Sequence, residues 1–194
     1  HADDPRSSQC YALSAFVPPL AFTDRHDIFE RFVTKVFPHI PPRVDREWGV
    51  IPEYVRPELL GETGAGIATN VDALLVSDDV VVCVESKYVV DAAEGFGKCG
   101  QFTSGACGGF HGEGSDTKGT NASCRLTIKD GRRDPRLYWS LGRGHFRDEV
   151  FSPQNESQVC PYRNTYQLMR NYLLASEFAR QYEQSYFGVI GIVP

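Results

Sequence analysis

Three side chains in this sequence have the types and spacing to do chemistry. Asp72 is followed, after twelve residues, by Glu85-Ser86-Lys87. Glu85 and Lys87 close the apolar run Val80-Val81-Val82-Cys83-Val84, and at i and i+2 of a strand both emerge on one face. Ser77-Asp78-Asp79 is a tight polar turn between that run and Val71–Val76, so the two runs read as a hairpin and Asp72 falls near the level of Glu85. Charges that end such a run are costly to bury unless paired or bound to something. Asp72, Glu85 and the Ser86 carbonyl would supply hard oxygen ligands to Mg²⁺ or Mn²⁺. A cation there acidifies a bound water and neutralises charge on a phosphodiester, while Lys87 orients or deprotonates that water. The trio fits metal-assisted phosphodiester hydrolysis. The plainer alternative makes Glu85 and Lys87 strand-end surface charges and Asp72 a turn residue.

The elements around the trio read as follows. Thr23 to Asp27 offer cap residues before a helix in which Ile28, Phe29, Phe32, Val33 and Val36 recur at helical spacing, ended by Pro38, Pro41 and Pro42. Residues 44–55 form a strand weakened by Gly49 and Pro52, and 61–68 form a loop. The second run of the hairpin is apolar on both faces and should be a central, covered strand. Residues 91–159 are Gly-rich and aperiodic. A helix over 164–184 and a buried strand over 186–193 complete the order. The expected organisation is a single domain over 1–194, with an N-terminal extension over 1–22 and an irregular insertion over 91–163. The start at His1 and the apolar end suggest a longer parent chain.

The whole chain has 194 residues and a net charge of -5, with 41% hydrophobic and 23% charged residues, which excludes a disordered or fibrous chain. No apolar stretch approaches the roughly 18–20 residues of a membrane span. Residues 118–147 hold eight basic residues against two acidic ones, so charge is segregated. Arg132, Arg133, Arg136 and Arg143 there interleave with Tyr138, Trp139 and Phe146, a composition suited to phosphates and unpaired bases. A solvated surface is the alternative. Cys99, Cys107, Cys124 and Cys160 sit in or beside the insertion without a Cys-x-x-Cys knuckle. They are either four unrelated thiols or the ligands of an ion that organises the insertion. All-sulfur ligation suits Zn²⁺ and iron–sulfur clusters alike. Cys83 reads as a packed thiol. Two sequons, at Asn121 and Asn155, would suit secretion, but six cysteines in 194 are too sparse for a disulfide scaffold, so a cytoplasmic location is expected.

Asp72 and Glu85-Ser86-Lys87, with the order of elements, resemble the PD-(D/E)XK nuclease superfamily. The resemblance covers residues 26–90 and 164–193, with Val71 where the signature often has Pro. It implies an α/β fold with a restriction-endonuclease-like αβββαβ core, a central mixed sheet flanked by helices. It also implies Mg²⁺ on the acidic pair, Lys87 on the water, and Glu30 on the first helix completing the site. Gln167 resembles the start of the Gln-x-x-x-Tyr motif of the RecB-like branch, although Tyr172 stands one place late. Some nucleases of that branch carry a 4Fe–4S cluster on four cysteines, and Cys160 is similarly placed before Gln167. The tail from Cys124 to Asn171 is similar to an uncharacterised bacterial PD-(D/E)XK-like group. The expected function is a Mg²⁺- or Mn²⁺-dependent nuclease cutting DNA in preference to RNA. The rival is a non-catalytic DNA-binding or metal-stabilised accessory module of the same fold.

Overall fold

The computed structural model describes residues 14–15, 17–18, 25–63, 68–88, 97–105, 108–109, 136–147, 149, 159–182 and 184–192. At Lys87 and Arg143 it describes the backbone alone. The expected N-terminal extension, most of the insertion, and Cys107, Cys124, Arg132 and Arg133 lie outside the described residues.

The elements run α1 (His26–Val36), β1 (Gly49–Val55), a 3-10 turn (Pro57–Leu60), β2 (Asn70–Val76), β3 (Val80–Tyr88), α2 (Gly100–Thr103), α3 (Tyr138–His145), α4 (Tyr162–Phe178) and β4 (Gln184–Ile192). The four strands form one sheet in the order β1-β2-β3-β4. β2 and β3 are antiparallel, from Ala73 opposite Val84 to Val76 opposite Val81. β3 and β4 are parallel, with Glu85 beside Val189 and Lys87 beside Gly191. The sheet is therefore mixed, and the arrangement is compatible with a restriction-endonuclease-like α/β fold.

Several boundaries differ from expectation. The first strand begins at Gly49 rather than residue 44, and Val44 is fully exposed. Pro52 is tolerated because β1 is an edge strand, and Glu53 beside it takes a positive φ of 49°. The long helix ends at Phe178, not 184, because the strand already starts at Gln184. The stretch expected to lack periodic structure contains α2 and α3, which are too short to show an apolar repeat against a Gly-rich background.

By backbone proximity the chain divides into two compact units, 1–54 with 70–90 and 175–194, and 55–69 with 91–174. The first unit holds the sheet. Phe29 and Val33 of α1 pack with Ile40, Trp48, Ala73, Leu75, Val80, Val82 and Val84 into one apolar core. Ile28 and Val36, expected on the same helix face, are exposed instead. Period-two alternation puts Ala73, Leu75, Val80, Val82 and Val84 on the sheet face toward α1. Leu74, Val81 and Cys83 are buried on the opposite face, so β3 is covered on both sides as expected. Burial pushes the Cys83 thiol up to about 12, which keeps it a neutral packed side chain. In the hairpin turn the Ser77 and Val80 amides donate to the Val80 carbonyl (2.8 Å) and the Ser77 hydroxyl (3.0 Å).

The second unit is built around aromatic side chains. Tyr138 and Trp139 of α3 and Tyr162 of α4 are fully buried, with the Trp139 and Tyr162 rings 5.2 Å apart edge to face. The Tyr162 hydroxyl donates to the Tyr138 carbonyl at 2.6 Å, and the Leu137 amide donates to the Leu60 carbonyl at 2.9 Å. These bonds join segments far apart in sequence. No helix among the described residues is long and apolar enough to cross a membrane.

Candidate active site

The hairpin register decides where the acidic residues fall. The ladder reaches Ala73 opposite Val84, and one further step along it sets Asp72 opposite Glu85. Alternation places both on the sheet face away from α1, with Lys87 two positions on at the same face. Gly191 is the β4 neighbour of Lys87 and adds no side chain beside it. Asp72 and Glu85 are both buried, Glu85 to 2% exposure. The Ser86 amide donates to Asp72 Oδ2 at 2.8 Å. That bond fixes one carboxylate oxygen of Asp72 against the β3 backbone at the residue between Glu85 and Lys87. Ser86 itself faces the α1 side, and its hydroxyl is buried without a hydrogen-bond partner.

Glu30 is not brought to this pair. It lies on α1, across the sheet, inside a network of arginines. Arg46 Nη1 donates to Glu30 Oε1 at 2.7 Å, the Arg43 amide donates to the same oxygen at 2.7 Å, and Trp48 Nε1 donates to Oε2 at 3.0 Å. Arg46 then forks onto Asp79, with Nε and Nη2 each 3.0 Å from a carboxylate oxygen. The Arg46 guanidinium beside Asp79 holds that carboxyl well below its ordinary range. Arg43 reaches Asp78 at 3.2 Å. A cleft of about 560 Å³ opens beside this network, lined among others by His26, Arg43, Trp48, Val76 and Asp78. It lies at the turn end of the hairpin, about 13 Å by strand rise from the level of Asp72. Among the described residues no group of three or more His, Cys, Asp or Glu is arranged to hold a metal.

In the second unit, Gln167 lies on α4 against the loop that enters α2. Gly97 has φ +70°, its carbonyl accepts from the Tyr166 amide at 3.0 Å, and a Cβ there would stand 2.9 Å from Gln167 Cβ. Only glycine fits that approach. Tyr172 is exposed, its ring 5.1 Å from that of Phe146. Cys99 and Cys160 are joined through Arg163. The Cys99 amide donates to the Arg163 carbonyl and the Arg163 amide to the Cys160 carbonyl, both at 3.0 Å. Neither is in a disulfide. Of the four arginines singled out from sequence, Arg136 is the one whose side chain is described, and it donates to the Tyr166 hydroxyl at 3.3 Å.

A third polar cluster escaped the sequence reading. Glu62 is buried at 2% exposure and accepts from the Thr69 amide at 2.8 Å, the Thr69 hydroxyl at 2.6 Å and the Tyr138 hydroxyl. Burial raises the Tyr138 phenol well above its usual range, so it remains a donor to this carboxylate. Arg170 lies 3.9 Å from Glu62 and stacks on Tyr166, 4.4 Å from the ring centroid. Glu62 stands in a Gly-rich loop with no apolar period around it, so only its lack of periodic context set it apart.

A family model described as restriction endonuclease associating with ARP matches residues 1–191. The chain belongs to that family. No curated protein and no solved structure matches it. Membership in a restriction-endonuclease family makes this a nuclease-like domain.

Proposed function

We propose that this protein is a Mg²⁺- or Mn²⁺-dependent nuclease acting on DNA in preference to RNA. The observation that carries the reading is the meeting of Asp72 and Glu85 at one end of a buried hairpin, with Lys87 on the same face, in a restriction-endonuclease family. The donor set fits the ion. Two carboxylates and the Ser86 carbonyl are hard oxygens, and Mg²⁺ completes its shell with water. The cation supplies an acidified water and neutralises phosphate charge. Asp72, anchored by the Ser86 amide, and Glu85 opposite it would hold the cation. Lys87 orients or deprotonates the attacking water, and Gln167, backed by Gly97, orients substrate. Glu30 has no part in this assignment, because Arg46, Arg43 and Trp48 already occupy both of its oxygens.

The finer placement in the RecB-like branch belongs to the same proposal, as does a structural Zn²⁺ or 4Fe–4S cluster on Cys99, Cys107, Cys124 and Cys160. Its support is the shared tether of Cys99 and Cys160 to Arg163, with thiolate chemistry suited to either. A cytoplasmic, reducing location agrees with Cys99 and Cys160 standing outside any disulfide. The family's description pairs its members with ARP, so a protein partner of that kind is proposed beside DNA. A non-catalytic DNA-binding module is favoured by one observation, the lack of a third acidic residue at the pair among the described residues.

Cleavage of single- and double-stranded DNA under single-turnover conditions, with Mg²⁺ or Mn²⁺, tests the reading. Asp72→Asn and Lys87→Ala should each lower the rate by about a thousandfold while leaving folding intact. DNA binding without any cleavage that depends on both residues would transfer the assignment to the accessory module. Elemental analysis and a visible spectrum of anaerobically purified protein test the cysteine site.

A further inference from the structure

The Glu62 cluster contains a paired cation, Arg170, with one N–H that its surroundings leave without an acceptor. Arg170 is largely buried, with its side chain 12% exposed. Its Nε is buried and has no hydrogen-bond partner. The nearby carboxylate, Glu62, pairs with Arg170 Nη1 at 3.9 Å, while its oxygens also accept from Thr69 and Tyr138. That pair leaves the Nε–H without an acceptor, and a buried guanidinium N–H without one is unfavourable.

Stacking on the Tyr166 ring at 4.4 Å fixes the guanidinium plane. A second arginine converges on the same residue, Arg136 Nη1 donating to the Tyr166 hydroxyl at 3.3 Å. Arg136 and Tyr166 are partly exposed, so the cluster opens to solvent on their side. Tyr166 and Arg170 flank Gln167 in sequence on α4, and all of these residues lie within the second compact unit.

We propose that Arg170 and Arg136, arranged around Tyr166, receive a backbone phosphate of the nucleic-acid substrate. Identification of the anion as a nucleic-acid phosphate rests on the nuclease reading, whereas the existence of an anion site rests on Arg170 alone. A guanidinium fork binds phosphate oxygens bidentately, and such a contact positions the strand without reading its sequence. Glu62 is then a positioning residue. It holds Tyr138 and the Thr69 segment in place and pairs with Arg170 Nη1.

The test is binding without catalysis. Fluorescence anisotropy with a labelled oligonucleotide, in chelator and across a salt series, reads affinity apart from cleavage. Arg170→Gln and Arg136→Gln should each weaken binding about tenfold and reduce the salt slope by about one. Arg170→Lys keeps the charge but loses the planar fork, and should fall between parent and Arg170→Gln. Inorganic phosphate should raise the parent's Tm more than that of Arg170→Gln, and should compete with the oligonucleotide. Arg170→Gln that lowers Tm yet binds with the parent's affinity and slope would overturn the proposal, leaving Arg170 a structural side chain. Phosphate that stabilises the parent without competing would also overturn it, by making the ligand a free anion. Loss of cleavage in Asp72→Asn with DNA binding retained keeps the two hypotheses separate, because it tests the nuclease reading and leaves this one untouched.

Discussion

The two ends of the β2–β3 hairpin both hold acidic residues and give them different partners. At the turn end, Asp79 and Glu30 meet the buried guanidinium of Arg46, and Asp78 meets Arg43. Each negative charge there is matched within the fold, and the network ties α1 and the loop after it to the turn. At the open end, Asp72 meets a backbone amide, and Glu85 faces the same side of the sheet as the Lys87 position. An arginine fork matches the carboxylate's charge within the fold, whereas an amide bond leaves the charge itself uncountered by that bond. Buried acid by itself is therefore no mark of a site.

That contrast can be broken most sharply by exchanging the consequences of the two ends. Glu85→Gln should lower cleavage by about a thousandfold in single-turnover assays with little change in Tm. Glu30→Gln should lower Tm while cleavage by the folded protein stays within severalfold of the parent. If Glu30→Gln abolished cleavage in a protein still folded, the division between the two ends would be wrong. Arg46→Met leaves the buried Glu30 without its cation and should cost about 3–5 kcal/mol, read by urea denaturation. Gly97→Ala forces a Cβ to 2.9 Å from that of Gln167 at a positive φ, and should cost about 1–3 kcal/mol. The smallest effect belongs to Asp79. Its carboxyl is held well below the ordinary 3.8, so its stabilisation is complete above that value and is lost as pH falls from there through the depressed folded-state value. Asp79→Asn should therefore be less stable than the parent by about 1–2 kcal/mol at neutral pH, and the gap should narrow steadily as pH falls below about 4. A gap that stayed constant over that range would mean that Asp79 is not held ionised by Arg46.

The hairpin was legible because two β-branched runs around Ser77-Asp78-Asp79 leave one sensible register, and that register alone brings Asp72 level with Glu85. The apolar core strand was legible for the same local reason. Glu30 was misjudged because its position on an amphipathic helix says only that it is polar. Its partners Arg46 and Trp48 lie 16 and 18 residues away, beyond any helical repeat. Glu62 and Tyr138, 76 residues apart, gave still less warning. Arg170 reads from sequence as an ordinary helix cation, and only packing against Tyr166 shows that it is held and incompletely bonded.

Local alternation and turn chemistry in the sequence by themselves determined the element order, the antiparallel hairpin and the shared face of positions 72, 85 and 87. Strand periodicity is a property of neighbouring residues, so the chain carries it openly. Tertiary structure alone decided which carboxylates meet an arginine, as Glu30 and Asp79 meet Arg46. A carboxylate's state depends on whatever the fold brings within about 3 Å, and no local pattern encodes that distance.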